Sequence, residues 1–334
     1  MKKFLVYVAA SIVVSISSAD VRATSFDALY VFGDSLSDAG NSPSAVLSIY
    51  KLLGNTCDPS HPCPPYAGGR DSNGPVIAEY VANAIVPGGI FRSFAVAGAT
   101  TGVGNFGDGG TALKPGTFGL PGMSQELSLY VSLTGGVADP NALYFVWGGA
   151  NDFLTGDSPV AGAQRVGGYV ADLITRGATH VLVPNLPNLG LTPSAQSSGP
   201  AGIAAAQAFS DAFNATLFAQ LRTLRQQFGN ADITEFDIYS FVTDVVANPG
   251  VYGFTNARDA CLSVQLIPCA NPSQYVFWDG FHPTTQANAV VGAAVAAAVV
   301  AEPGSLTLIA AGMVLMVAFR KVRTARVSNR RFDA

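Results

Sequence analysis

The chain has 334 residues, 49% of them hydrophobic and only 12% charged, a balance that excludes a disordered or acidic-tail protein. The net charge of −4 hides an acidic centre, because residues 24–301 hold 9 Lys+Arg against 19 Asp+Glu while the two ends carry the other basic residues. That excludes a basic nucleic-acid-binding face, since phosphate contact needs clustered Lys and Arg.

The N-terminus reads Met1-Lys2-Lys3, an apolar run from Phe4 to Ile16, then Ser17-Ser18-Ala19. A positive start, an apolar middle and a small-residue cleavage site predict a signal peptide over residues 1–23, with a retained anchor as the alternative. The run is short for a membrane span. Five apolar runs then read as strands: Ala28–Phe32, Phe91–Val96, Leu143–Trp147, His180–Val183 and Ile233–Phe236. Helical patterns fall between and after them, at about Val76–Ile85, Ser124–Leu133, Val160–Thr175, Ile203–Phe228 and Thr285–Val300. The fourth carries Phe209, Phe213, Leu217, Leu221 and Leu224 on one face. Strands alternating with helices predict an α/β fold, a parallel sheet covered on both faces, in a single domain over 24–301.

Gly98 to Gly122 contains nine glycines and a literal GxGxxG, Gly102-Val103-Gly104-Asn105-Phe106-Gly107. It opens no helix, and Pro115 follows, so a dinucleotide site is rejected and a mobile loop over the binding face is expected. Beyond the last helix come Glu302-Pro303-Gly304, an apolar stretch from Ser305 to Phe319, and the basic residues Arg320, Lys321, Arg323, Arg326, Arg330 and Arg331. A short apolar segment closed by positive charge reads as a C-terminal membrane stop with its tail in the cytoplasm, over 302–334. Four cysteines suit an oxidising compartment and allow three pairings; the two local ones, Cys57–Cys63 and Cys261–Cys269, are expected. A metal site is the rival, but CxxC-like spacing is absent.

In an open parallel sheet, ligands sit outside the C-terminal strand ends. Ser35 follows the first strand, Gly98 the second and Asn151 the third, while Asp279 and His282 precede the last helix. A serine needs a base, and the base needs an orienting group. Asp279 three residues before His282 supplies that pair, and the backbone N–H groups of Ser35 and Gly98 with the Asn151 amide can face an oxyanion. Asp58 before His61 is a second such spacing, but it lies in the Cys57–Cys63 loop, where a lone histidine is expected to be exposed. Asp34 and Asp38 read as turn and capping groups, Asp152 as holding its own loop, Trp147 and Trp278 as core or site wall, and His180 as exposed.

Phe32-Gly33-Asp34-Ser35-Leu36-Ser37-Asp38-Ala39-Gly40-Asn41 resembles the first block of the GDSL, or SGNH, hydrolases. Ala95-Val96-Ala97-Gly98-Ala99-Thr100, Gly149-Ala150-Asn151-Asp152 and Asp279-Gly280-Phe281-His282-Pro283 are similar to their glycine, GxND and DxxH blocks. Gly69–Pro75, Asn185–Gly190 and Gly253–Asn256 look like the bacterial lipase, phospholipase and haemolysin branch. The resemblance covers about 27–300, departing at Ser93, where Asn is usual, and at Asp71, where an aromatic is usual. It implies a flavodoxin-like three-layer sandwich with a five-stranded parallel sheet, Ser35 as nucleophile, His282 as base and Asp279 as its orienter. It further implies an oxyanion hole of Ser35, Gly98 and Asn151, and no metal or organic cofactor. The C-terminal pattern resembles the PEP-CTERM sorting signal of Gram-negative bacteria, with Ala301 where Pro is commoner. That implies a transient inner-membrane anchor cut near Glu302-Pro303 by an exosortase; an uncut tail anchor is the alternative.

Together these readings predict an exported monomeric serine esterase or lipase that cleaves lipid, small-molecule or acylated-glycan esters. O-acetyl esterase or acyltransferase action on exopolysaccharide is an alternative within the class. A non-catalytic matrix or glycan-binding surface protein is the alternative outside it.

Overall fold

The computed structural model describes residues 26–43, 57 and 61–300. The expected signal peptide (1–23) and the sorting tail (302–334), with its apolar segment 305–319, lie outside the described residues. Among the described residues no helix is long and apolar enough to cross a membrane.

Five parallel strands form one sheet: β1 (Ala28–Gly33), β2 (Ile90–Ser93), β3 (Ala142–Trp147), β4 (His180–Pro184) and β5 (Asp232–Phe236), in the order β2-β1-β3-β4-β5. Side chains alternate across each strand. Phe32, Tyr144 and Val146 face one core, whereas Leu29, Val31, Leu143 and Phe145 face the other. The first core is closed by α2 (Met123–Leu133), α4 (Pro159–Thr175) and, after the short α5 (Pro193–Ser197), α6 (Gly199–Gln227) through Met123, Val166, Val170, Phe213 and Leu217. The second is closed by α1 (Ile77–Ile85), α7 (Ile238–Ala247) and α8 (Thr285–Val300) through Ile77, Val81, Ile238, Val291 and Val295. The three-layer sandwich and its five parallel strands are therefore as expected. Each helix start has a local cause. Pro159 opens α4 behind Ser158, whose hydroxyl accepts from Ala161 N–H, and the Asp237 carboxylate accepts from Ser240 N–H at the start of α7.

Besides α7, which is not among the expected helices, three features differ from expectation. β2 stops at Ser93 and not at Val96. Beyond it Phe94 N–H still donates to Val31 O, but Val96 N–H is shared between Gly33 O at 3.3 Å and a buried Glu126 carboxylate oxygen at 3.2 Å. The chain also forms a second small parallel pair, β6 (Asn256–Ala260) with β7 (Tyr275–Phe277), and its end holds the Trp278–His282 turn. The glycine-rich segment, finally, is not a loose loop. Thr100, Thr101, Asn105 and Asp108 are buried in it, and Asp108 accepts from Phe118 and Leu120 N–H. Its glycines permit close backbone passes: a Cβ at Gly102 would stand 1.8 Å from Ala112 O.

Candidate active site

The strand order reverses between β1 and β3, which puts a crevice at their C-terminal ends. Ser35 sits there in the turn after β1, buried to 9% exposure. Its turn is held by local bonds: the Asp34 carboxylate accepts from Leu36 N–H, and Asp38 accepts from Gly40 N–H. Asp38 also accepts from Ala97 N–H, and the Ser93 hydroxyl donates to Ser37 O. The turn after β1 and the chain after β2 are thus one hydrogen-bonded unit. Ser93, standing where the resemblance leads one to expect Asn, is part of that unit.

On the opposite side of the crevice, the Trp278–His282 turn closes through Trp278 N–H to His282 O at 2.7 Å. Asp279 caps it by accepting from the N–H groups of Phe281 and His282. The His282 Nδ1 lies 2.8 Å from Asp279 Oδ2, and its Nε2 lies 2.8 Å from Ser35 Oγ. Burial opposes charging the imidazole, but Asp279 outweighs it, with Asp71 and Asp34 adding, and the His282 pKa is raised to about 9. Burial likewise opposes charge on Asp279, yet the His282 ring and the turn's N–H groups hold its pKa at about 2. Burial lifts Asp34 to about 7.

Gly98, with φ of +80°, and Asn151, at the start of α3 (Ala150–Leu154), line the same crevice as Ser35. A Cβ at Gly98 would stand 2.3 Å from Asn105 Oδ1, so the position demands glycine for space as well as conformation. One Asn151 amide hydrogen donates to Ala99 O at 3.0 Å, leaving the other for a ligand. Among the described residues no protein acceptor takes the backbone N–H of Ser35 or Gly98. Ser35, Gly98 and Asn151 thus border one space beside the serine. That space opens into a cavity of about 760 Å³ lined chiefly by apolar side chains, including Leu36, Phe106, Leu120, Phe153, Leu191 and Phe281.

The five residues singled out from the sequence are therefore brought together. The two expected disulfides, Cys57–Cys63 and Cys261–Cys269, are both present. Cys63, Cys261 and Cys269 pack around Tyr66 and Trp278, behind the Asp279–His282 turn. Among the described residues no cluster of His, Cys, Asp and Glu could hold a metal ion.

One residue that no sequence pattern marks out also belongs here. Tyr66 donates its hydroxyl hydrogen to Asp279 Oδ2 at 2.8 Å. His61, with 35% of its side chain still exposed, also lines the cavity, lies 3.4 Å from a buried Asp71 oxygen, and its ring stands 6.4 Å from that of His282. Tyr66 packs edge-on against both His61 and Trp278. Asp152 does not merely hold its own loop. It accepts from Thr101 N–H and from Arg165, fastening the glycine-rich segment to α3 and α4. Trp147 lines the cavity as expected, donating its indole N–H to Asn185 O. His180 is partly covered by Phe26.

Comparison with known proteins accords with this geometry. The chain is 26% identical to a GDSL esterase/lipase of Arabidopsis thaliana over 86% of its own length and 94% of the relative's. It is 29% identical to a phosphatidylcholine-sterol acyltransferase of Aeromonas hydrophila over 78% of this chain and 72% of that one. A solved carbohydrate acetylesterase of Sinorhizobium meliloti superposes with a TM-score of 0.44 at 16% identity, covering 80% of this chain and 96% of its own. A family model described as GDSL-like Lipase/Acylhydrolase matches residues 29–295, and the chain belongs to that family of ester-bond hydrolases.

Proposed function

We propose that the protein is an exported serine esterase that cleaves carboxylic esters bearing an extended apolar acyl chain. The observation that carries this reading is the relay of Ser35 Oγ, His282 Nε2 and Asp279, with 2.8 Å at each link, at the edge of a large apolar cavity. Ser35 Oγ attacks the ester carbonyl carbon while its proton passes to His282 Nε2. The carbonyl oxygen becomes an oxyanion held by the N–H groups of Ser35 and Gly98 and the Asn151 amide. The carbon–oxygen bond to the alcohol then breaks, and His282 returns the proton to the departing alcohol. A water molecule attacks the acyl-enzyme with His282 again taking a proton, and the carboxylic acid leaves.

An acetyl group would fill a small part of about 760 Å³. Each methylene fully buried adds about 0.8 kcal/mol, roughly fourfold in an equilibrium or rate. With purified protein and a series of nitrophenyl esters, kcat/KM should therefore climb from acetate to octanoate by at least about tenfold. A flat or falling profile would favour the O-acetyl ester reading. No hydrolysis of any ester would favour the non-catalytic glycan binder. The Aeromonas relative, named for transfer of acyl groups from phosphatidylcholine to sterol, supports acyl transfer to an alcohol as a second outcome at the same site.

Export and sorting complete the proposal. The charged, apolar and small-residue order of residues 1–23 supports a cleaved leader, and both local disulfides suit an oxidising compartment. The Glu302-Pro303 junction, the apolar segment 305–319 and the basic tail support a temporary inner-membrane anchor released by an exosortase-type enzyme, leaving the domain at the cell surface or in the matrix. Intact mass of protein recovered from native culture should place the mature C-terminus near residue 302. A mature chain that still carries Phe319 and the arginines would establish a plain tail anchor.

A further inference from the structure

A carboxyl group that the mechanism above does not use lies directly beneath the site. Glu126, on the first turn of α2, is 0% exposed. Its Oε2 accepts from Gly33 N–H at 2.8 Å, and its Oε1 accepts from Val96 N–H at 3.2 Å. Among the described residues no Lys, Arg or His forms an ion pair with it. A buried carboxyl group without a cation is costly, so its two backbone bonds must matter to the fold or to the site. Their positions point to the site. Gly33 is two residues before Ser35, and Val96 is two residues before Gly98. One side chain therefore spans the two strand ends from which the two backbone oxyanion donors project.

We infer that Glu126 is a positioning residue of the oxyanion hole, its single carboxyl group setting the separation between the Ser35 and Gly98 N–H donors. The start of its helix is tied to the same segment, since Met123 N–H donates to Thr100 O and Ser124 N–H to Gly102 O. Gly33 packs closely against the neighbouring strand, where a Cβ would stand 2.1 Å from Trp147 O. Burial raises the Glu126 pKa well above the usual carboxyl range, the two N–H bonds oppose that, and Asp34 and Asp38 reinforce it. Both oxygens are purely acceptors, and accept most strongly, only when the carboxyl group is ionised, so the two amides and the low-dielectric setting pull in opposite directions.

Glutamine separates a positioning role from a filling role. It has the same shape but only one acceptor atom, and its NH2 group would face a second N–H donor. The inference rests on the esterase reading, and wild-type hydrolysis tests that reading separately. In Glu126→Gln, kcat should fall about 10- to 100-fold with KM within about twofold, a smaller version of the loss from deleting an oxyanion donor. Affinity for a boronic acid that forms a tetrahedral adduct on Ser35 should fall in the same proportion as kcat. An active wild type beside a folded Glu126→Gln with unchanged kcat would overturn the inference and leave the esterase reading standing. So would a variant whose kcat falls while boronate affinity holds. A check that needs no variant is amide hydrogen exchange in the wild-type protein. The Gly33 and Val96 N–H groups should exchange equally slowly with and without the boronate, as donors fixed in advance must. Fast exchange in the free enzyme means that no clamp presets the donors, and the inference falls.

Discussion

Replacing Ser35 with alanine is expected to lower kcat for ester hydrolysis by on the order of 10⁴–10⁶ while leaving the fold intact. The size follows from the chemistry. Without Oγ no acyl-enzyme forms, and only the oxyanion donors and substrate binding remain to act on a water molecule. The intact fold follows from the bonding around the residue. The turn is held by the Asp34 and Asp38 carboxylates and by Gly33 N–H to Glu126, and none of these involves the Ser35 side chain. The loss should therefore appear in turnover with an unchanged melting temperature. A serine-directed phosphonate should add its mass to the wild-type protein once, on the peptide containing Ser35, and not to the variant. Retention of a tenth of the wild-type turnover would remove Ser35 from the nucleophile's role.

How far the site could be read from sequence depends on how local its causes are. Ser35, Gly98 and Asn151 hang on short motifs directly after strands, so strand reading and block order place all three at one edge of the sheet. The Asp279–His282 pair is equally local, because one turn caps itself with the carboxylate that orients the histidine. Glu126 and Tyr66 show the opposite case. Glu126 meets Gly33 across 93 residues of chain and Tyr66 meets Asp279 across 213, and neither residue sits in a patterned motif. Only the closed fold brings them together. His61 is a related case: a loop between cysteines reads as surface, and only the closed fold sets its partly exposed ring against Tyr66 at the cavity wall. β6 and β7 escaped notice because five and three residues, one strand reading Asn-Ala-Arg-Asp-Ala, carry no apolar alternation. The start of α7 was legible in principle, since Asp237 three residues before Ser240 is a capping signal. The ordered glycine segment was not, because its polar side chains satisfy distant backbone groups that composition does not reveal.

Loss of His282 should match loss of Ser35 in severity, and the pH dependence should identify the histidine as the group that titrates. The base must be neutral to take the serine proton. With its pKa raised to about 9 by Asp279 against the pull of burial, His282 is largely protonated at neutral pH in the free enzyme. The sign is therefore fixed: kcat/KM rises with pH, gaining roughly tenfold per unit below the pKa and levelling only above about 9. Asp279→Asn removes the charge that raises this pKa, so the limb should move to lower pH by about 1–3 units while the plateau drops. The plateau loss should be smaller than for His282→Ala, because orientation is only part of what the imidazole supplies. Asp34 lies close enough to confuse the assignment, its pKa raised to about 7 by burial. In Asp34→Asn the rising limb should remain near that of the wild type, since Asp279 still faces His282 at 2.8 Å. An Asp279→Asn limb that stays at the wild-type position would mean that a group other than His282 titrates in the reaction.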